Sequence, residues 1–215
     1  MDAIGSIWRS LVQGGNNDLA VGKRLLEAIH AALAQAVARR GVVPLEPEVL
    51  LPIRALCDQL LPAHFGLKIP PSERDRAADD ADGHEPATPS PKQDKSVYYQ
   101  HIYEDETFSM GIFILSPGAS IPLHDHPGMS VVSRVLYGSM SVKAYDLVDA
   151  DAAGTSASRL ATPTGSTATR LEARMCTDAV VAAPFTTDLS PDHGNLHEFV
   201  AGAERGCAIF DILTP

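Results

Sequence analysis

The stretch Pro122-Leu123-His124-Asp125-His126-Pro127-Gly128-Met129 places two histidines one residue apart inside an apolar, β-prone region. Alternate side chains of a β-strand point to the same face, so both imidazoles can reach one metal ion. Residues 110–118 predict a preceding strand that ends in a Pro-Gly turn, and residues 131–138 predict a following strand that ends at glycine. A third histidine, His197, follows a further turn. Three neutral imidazoles brought together would form a facial metal site with positions left open for a substrate.

The spacing of these residues favours metal ligands over the alternative of hydrogen-bonded structural histidines. Gly118 is followed by five residues and then by His124-X-His126, and Gly138 lies twelve residues beyond His126. This spacing resembles the first cupin motif, and Gly194-X-X-His197 resembles the end of the second. The resemblance implies an all-β core, a cupin double-stranded β-helix or jelly-roll barrel, and we expect an N-terminal helical segment before it.

The residues after the second histidine lack a carboxylate. Many cupins place a glutamate ligand four or five residues after that histidine, whereas this chain has Ser130 and Val131 there. A site without this anion keeps a higher positive charge and one more open position, which suits a substrate that arrives as an anionic ligand. A thiolate is the obvious candidate.

Four segments resemble the family of the plant cysteine oxidases and the animal cysteamine (2-aminoethanethiol) dioxygenase. The resemblance extends more weakly to residues 47–49 and 65–67, and in all it covers roughly residues 42–70 and 97–215. The four segments are residues 121–129, 136–146, 194–197 and 207–213.

This resemblance implies an Fe(II) ion bound by His124, His126 and His197, and a reaction that adds both atoms of O2 to a thiol to give a sulfinic acid. The implied substrate is the amino-terminal cysteine of a peptide or protein, and the implied role is oxygen sensing through the N-degron pathway in the hypoxia response. Two alternatives stay open. One is a cysteamine dioxygenase, and the other is a catalytically impaired cupin that only binds metal.

The resemblance also assigns Asp211, fourteen residues after His197, to the position of the family's aspartate near the site. Asp211 would steer a ligand histidine or receive the substrate's ammonium group, and the alternative is a structural aspartate in a hydrogen-bonded turn. The companion cysteine corresponds to Cys207, either a packing residue or a redox-sensitive thiol. The family continues with a Pro-Pro-Tyr segment, whereas this sequence stops at Thr214-Pro215, and we expect reduced rather than abolished turnover.

Composition excludes several other function classes. A net charge of −10, from 17 basic and 27 acidic residues, argues against nucleic acid or an anionic membrane as the main partner. Three scattered cysteines form neither a disulfide framework nor a zinc knuckle, which indicates a reducing compartment. The first residues lack the pattern of a secretory signal, so we expect a cytoplasmic protein that can also reach the nucleus by diffusion. We also expect a monomer.

The chain divides into three regions. Residues 1–70 form an N-terminal helical segment, with one helix from Asn17 to Arg40 and a second from Pro47 through Leu61, which packs on the barrel or offers a partner-binding groove. Residues 71–96 are a disordered linker, and residues 97–215 are the cupin domain with a low-complexity surface loop at 149–170. The other histidines are expected to be structural, solvent-facing or part of the linker or rim, and they are His30, His64, His84, His101 and His193.

Overall fold

The computed structural model describes residues 17–41, 44–72, 95–148, 159–161, 167–169 and 172–214. Most of the predicted linker at 71–96 therefore lies outside the described residues, and so does most of the predicted loop at 149–170. Within that loop, the two short strands Arg159–Ala161 and Thr167–Thr169 pair with each other in an antiparallel ladder.

Among the described residues, two α-helices and a short 3-10 helix precede the sheet. The helices are α1 (Asn17–Arg40) and α2 (Pro47–Cys57), and the 3-10 helix spans Pro62–Phe65. Helix α1 has Asp18 in its first turn, which complements the helix dipole, and α2 starts at a proline, whose fixed φ suits a first helical turn. None of the described helices combines the length and the apolar composition needed to span a membrane.

The expectation that the second helix runs through Leu61 is wrong, because α2 ends at Cys57. Proline disfavours the helical conformation of the residue before it, and Leu61 before Pro62 is extended, with φ −123° and ψ 155°. Before that point the backbone forms a tighter turn, in which the N–H of Leu60 donates to the carbonyl of Cys57 at 3.0 Å. Such bonds to the third preceding residue are common in the last turn of a helix.

The described part of the chain then contains ten strands. The predicted strands at 110–118 and 131–138 are both present, and the second extends well beyond Gly138. The strands are β1 (Val97–Glu104), β2 (Ser109–Leu115), β3 (Ser120–His124), β4 (Ser130–Leu147), β5 (Arg159–Ala161), β6 (Thr167–Thr169), β7 (Ala173–Ala182), β8 (Phe185–Leu189), β9 (Leu196–Ala201) and β10 (Cys207–Thr214).

The main sheet has the strand order β1-β2-β10-β4-β9-β3, and β7 and β8 also pair with β4. All of these pairings are antiparallel. The first half of β4 pairs with β10 and β8, and its second half pairs with β9 and β7, so this 18-residue strand belongs to both halves of a curled barrel. The curled antiparallel core with helices at its N-terminal side confirms the predicted all-β jelly-roll fold.

Strand β10 separates two buried clusters by the two-residue period of a β-strand. Ala208, Phe210 and Ile212 belong to the outer cluster, which also contains the buried faces of α1 and α2. Cys207 and Ile209 belong to the inner cluster, inside the barrel. Continuing this alternation places Asp211 on the inner face.

Polar contacts join α2 to the outer face of the barrel. The guanidinium of Arg134 on β4 is buried, and it donates to the Asp58 carbonyl at 2.8 Å and to the Thr186 hydroxyl at 3.0 Å. Arg54 on α2 forms an ion pair with Asp188 on β8. These contacts hold β8 in place, and β8 forms part of the wall of the central cavity.

Candidate metal centre

Three histidine side chains converge at one end of the barrel. His124 is the last residue of β3 and lies opposite His197 on β9, and His126 follows two residues later. The Nε2 atom of His197 lies 3.0 Å from Nε2 of His124 and 3.3 Å from Nε2 of His126. The structure thus brings the three predicted ligands together.

The expected arrangement of His124 and His126 on one continuous strand is wrong, because β3 ends at His124. The backbone of His126 pairs with a side chain instead of a strand. Its N–H donates to Oδ1 of Asn195 at 2.7 Å, and its carbonyl accepts from Nδ2 of Asn195 at 2.9 Å. Gly128 then adopts a positive φ of 71°, which turns the chain toward β4.

Asn195 is therefore a positioning residue that the sequence reasoning did not single out. It lies two residues before His197 in the segment Gly194-Asn195-Leu196-His197. By holding both backbone groups of His126, it fixes the loop that carries one ligand to the strand that carries another. The asparagine side chain has both the donor and the acceptor that this double contact requires. An asparagine two residues before a candidate ligand was therefore the one feature of the sequence that pointed to this role.

Hydrogen bonds and burial prepare the three rings to act as neutral ligands. Nδ1 of His124 donates to the Pro122 carbonyl at 2.8 Å, which leaves the Nε2 lone pair free, and the Gly194 backbone holds the His197 ring. Burial, reinforced by His124 and His126, lowers the pKa of His197 to about 3. Burial and His124 also lower the pKa of His126. Neutral imidazole is the form that coordinates a metal.

The spacing of the three nitrogens fits a divalent metal ion. Metal–nitrogen bonds of about 2.1 Å at right angles place the two donor atoms about 3.0 Å apart. The observed separations are 3.0 and 3.3 Å. Ser130, in place of the glutamate of many cupins, is buried and donates its hydroxyl to the Leu45 carbonyl at 2.9 Å, away from the triad. The three candidate protein ligands are therefore all imidazole nitrogen atoms.

A cavity of about 280 Å³ opens beside the triad inside the barrel. Its walls are mostly apolar, as at Val142, Met140 and Phe199, and His197 also lines the cavity. Such walls keep bulk water from a bound group and leave orientation to a few polar side chains. The cavity can admit a small molecule or the end of a peptide.

Asp211 contributes a buried carboxyl group to the inner wall. It lies opposite Ser133 on β4 and Gly111 on β2, and burial raises its pKa to about 6, although a hydrogen bond from Ser133 acts in the other direction. Its Oδ1 atom has no hydrogen-bond partner among the described residues. The catalytic role of Asp211 stays a prediction.

The contacts of several other histidines and of Cys207 indicate structural rather than catalytic roles. His30 packs edge-on against Tyr103 with ring centroids 4.8 Å apart, and His64 is buried and accepts from the Leu61 N–H at 3.1 Å. His101 is partly exposed and lies 4.0 Å from Glu104. Burial raises the pKa of the Cys207 thiol to about 12, which favours packing over redox sensing for this cysteine.

Comparisons with known proteins agree with this geometry. The PCO_ADO family model matches residues 56–215. Plant cysteine oxidase 1 of Arabidopsis thaliana is 34% identical over 179 residues, which cover 81% of this chain and 52% of that protein. The human 2-aminoethanethiol dioxygenase is 50% identical over 62 residues, 29% of this chain and 23% of that protein.

The chain spans about half the length of the plant relatives that it matches. Among solved structures, the cupin domain of Schizosaccharomyces pombe Cnp3 is similar, with a TM-score of 0.38 and 10% identity, over 58% of this chain and 69% of that chain.

Proposed function

Because the chain belongs to the PCO_ADO family, we propose that it is an Fe(II)-dependent thiol dioxygenase whose substrate is the amino-terminal cysteine of a peptide or protein. The observation that carries this proposal is the convergence of the Nε2 atoms of His124, His126 and His197 at 3.0 and 3.3 Å. Plant cysteine oxidases 1 and 2 match over 81% and 82% of the chain. These matches cover far more of the chain than the match to the human 2-aminoethanethiol dioxygenase, and this difference favours a cysteine residue as the substrate.

The proposed reaction converts R–SH and O2 into R–SO2H, so that sulfur loses four electrons and the two oxygen atoms gain them. Iron held by the three histidines would supply a place where the thiolate and O2 meet. The neutral imidazoles add no negative charge, which leaves the site attractive to a thiolate. The apolar cavity walls limit access of water to the oxidised sulfur.

We propose that Asp211 receives the ammonium group of the substrate. The pKa of an α-amino group is about 8, so this group is largely protonated at neutral pH when it is not bound to a metal. Backbone groups already hold the rings of His124 and His197, whereas Oδ1 of Asp211 has no partner among the described residues. These contacts favour substrate binding over the steering of a ligand histidine.

The proposed location of this reaction is the cytoplasm or the nucleus, where it would serve oxygen sensing in the hypoxia response. Cys57, Cys176 and Cys207 are all free thiols, in keeping with a reducing compartment. A monomeric state and the lack of a nucleic-acid partner also remain predictions.

The test is mass spectrometry of a peptide that begins with cysteine, incubated with Fe(II)-loaded protein under 18O2. The expected product gains two labelled oxygen atoms. The same peptide with an acetylated amino terminus, or with cysteine at the second position, should gain none. The matched inactive protein is the His126→Ala variant.

A second candidate is a cysteamine dioxygenase, favoured by the 50% identity with the human 2-aminoethanethiol dioxygenase over 62 residues. Oxidation of cysteamine without oxidation of the peptide would establish this candidate. Stoichiometric iron with no oxidation of either thiol would overturn both activities and leave a metal-binding cupin.

A further inference from the structure

A second group of side chains that could hold a metal ion lies beside the cavity, which one of its members lines. Its members are Asp146, Cys176 and His193, and their candidate ligand atoms all lie within 4.8 Å of one another. His193 and Gly194 line the same cavity as His197. None of the three residues belongs to the histidine triad, and the proposed dioxygenase reaction does not use them.

The fold brings these residues together from three separate segments. Asp146 lies near the end of β4, two residues after the cavity-lining Ala144 and on the same face. On β7, Met175 pairs with Tyr145 and Thr177 pairs with Ala144, so Cys176 is the extra residue of a β-bulge. Bulges redirect side chains, often next to functional sites. His193 lies on the turn after β8.

Hydrogen bonds already orient the carboxylate of Asp146. Its Oδ1 accepts the N–H of Gly194 at 2.7 Å, and its Oδ2 lies 3.3 Å from Nδ1 of His193. The Cys176 thiol donates to the same carboxylate. The contact with Gly194 explains why an acid is placed here, but it does not explain why a thiol and an imidazole also contact this carboxylate.

These contacts suit a borderline-soft cation. In a tetrahedral site with bonds of about 2.0–2.3 Å, donor atoms lie roughly 3.3–3.8 Å apart. The separation between His193 and Asp146 is already 3.3 Å. The His193 side chain is 72% exposed, so its ring can rotate to close the remaining distance to Cys176. The side chain of Asp146 is only 15% exposed, which strengthens its attraction for a cation.

We propose that Asp146, Cys176 and His193 form a second metal site, which binds Zn²⁺ or a similar divalent cation with a fourth position open to water. The cation takes the place of the thiol proton, which is released to solvent as the sulfur–metal bond forms. No electrons are transferred. The chemistry of one thiolate, one imidazole and one carboxylate differs from that of the triad, so the two sites are distinguishable by spectroscopy.

The second site is linked to the triad through Gly194. The N–H of Gly194 donates to Asp146, and the backbone of Gly194 also holds the ring of His197. A cation on Asp146 and His193 would therefore restrain the segment that orients a ligand of the first site. It would also narrow the mouth of the cavity, which His193 and Gly194 line.

The experiment uses Co²⁺ as the probe, added to the full metal-stripped protein. A cobalt–thiolate bond gives a strong near-ultraviolet charge-transfer band, whereas cobalt bound to three histidines gives none. We expect the wild-type protein to bind two equivalents and to show this band at micromolar Co²⁺, with one proton released from the thiol. Added Zn²⁺ should remove the band.

Two variants test the ligands, and two serve as controls. Cys176→Ser should lose the thiolate band and one equivalent of Co²⁺, and His193→Gln, on an exposed turn, should weaken the band's apparent affinity at least tenfold. His126→Ala should lose the other equivalent and keep the band. His101→Gln, another partly exposed histidine, should change neither.

A wild-type protein without a thiolate band, or with a band that forms only at millimolar Co²⁺, would overturn the proposal. A band that survives in Cys176→Ser would also overturn it, because the thiolate would then belong to another cysteine. Since His126→Ala removes only the triad, failure of the dioxygenase proposal and failure of the second site give different results.

Discussion

The ring of Tyr99 fills the space that a side chain on Gly111 would occupy. A Cβ atom on Gly111 would lie 2.4 Å from the Tyr99 hydroxyl oxygen. Gly111 is opposite Asp211 in the ladder between β2 and β10, so the Tyr99 phenol reaches the inner wall beside that carboxyl group. Burial, Glu104 and Asp211 together raise the pKa of Tyr99. The ring also packs on Phe113, with centroids 4.9 Å apart.

We predict that Gly111→Ala displaces Tyr99 and lowers the free energy of unfolding by about 1 kcal/mol, the lower end of the cost of overpacking, because the Tyr99 side chain is half exposed and can move. Denaturant unfolding measures this loss. The matched control is the same substitution in a Tyr99→Ala background, where the space is empty and the loss should be smaller. Equal losses in both backgrounds would show that Tyr99 is not the obstacle.

We predict that His126→Ala abolishes iron retention, because two imidazoles hold Fe(II) poorly once the third ligand is missing. Metal analysis after desalting should fall from about one equivalent to less than about a tenth. The control is His101→Ala, which removes a histidine outside the triad and should keep the metal. Stoichiometric iron in His126→Ala would contradict the assigned site.

We predict that Asp211→Asn retains iron but lowers turnover by about one to two orders of magnitude, since an amide cannot balance the charge of the substrate's ammonium group. Measuring kcat and KM separately shows whether the substitution weakens substrate binding or slows turnover of the bound substrate. Unchanged turnover would assign Asp211 a structural role.

The same substitution should stabilise the metal-free protein at high pH. The pKa of Asp211 is about 6 in the folded protein, above its ordinary value of 3.8, so the folded state binds the proton more tightly. Its contribution to stability is present below about pH 4 and is lost as the pH rises through 6. We expect Asp211→Asn to gain on the order of 2 kcal/mol relative to wild type between pH 4 and pH 8. A difference independent of pH would contradict this.

Asp105 gives the opposite pH dependence in the turn between β1 and β2. Burial would raise its pKa, but hydrogen bonds from Thr107, Tyr103 and Phe108 lower it to about 2. Oδ1 accepts the N–H of Thr107 at 2.7 Å and that of Phe108 at 3.0 Å, and the Tyr103 hydroxyl donates to Oδ2 at 2.5 Å.

We predict that Asp105→Ala lowers the free energy of unfolding at pH 7 by about 1–2 kcal/mol, the range for loss of a side chain that caps backbone N–H groups. Because the folded pKa is depressed, this contribution is present above about pH 4 and fades as the pH falls toward 2. Glu106→Ala, at the neighbouring exposed carboxylate, should change little. A loss at pH 2 as large as at pH 7 would argue against an ionic contribution.

The sequence was sufficient to predict the jelly-roll core and the three histidines that the structure brings together as candidate metal ligands. His124 and His126 are close in sequence, and the glycines around them mark turns that bound neighbouring strands. Position 197 was harder, because its contact with β3 is a long-range pairing. The resemblance to a family identified His197 as a ligand, which the local sequence pattern alone could not do.

Tertiary contacts account for what could not be predicted. His126 leaves the strand because the side chain of Asn195 holds its backbone, and a period-two pattern carries no signal for such a contact. His193 was expected only at the rim, where the structure places it, but its neighbours were not foreseen. Cys176 reaches Asp146 through a β-bulge, and a bulge cannot be read from the sequence of one strand.

The position of β10 has a consequence for synthesis of the protein. This strand lies between β2 and β4, so both keep an unpaired edge until Cys207–Thr214 has left the ribosome. The nascent chain therefore carries open, apolar strand edges until β10 emerges, and such edges invite pairing with other chains. The barrel can close only after β10 has emerged, so these sheet edges stay open until that point of synthesis.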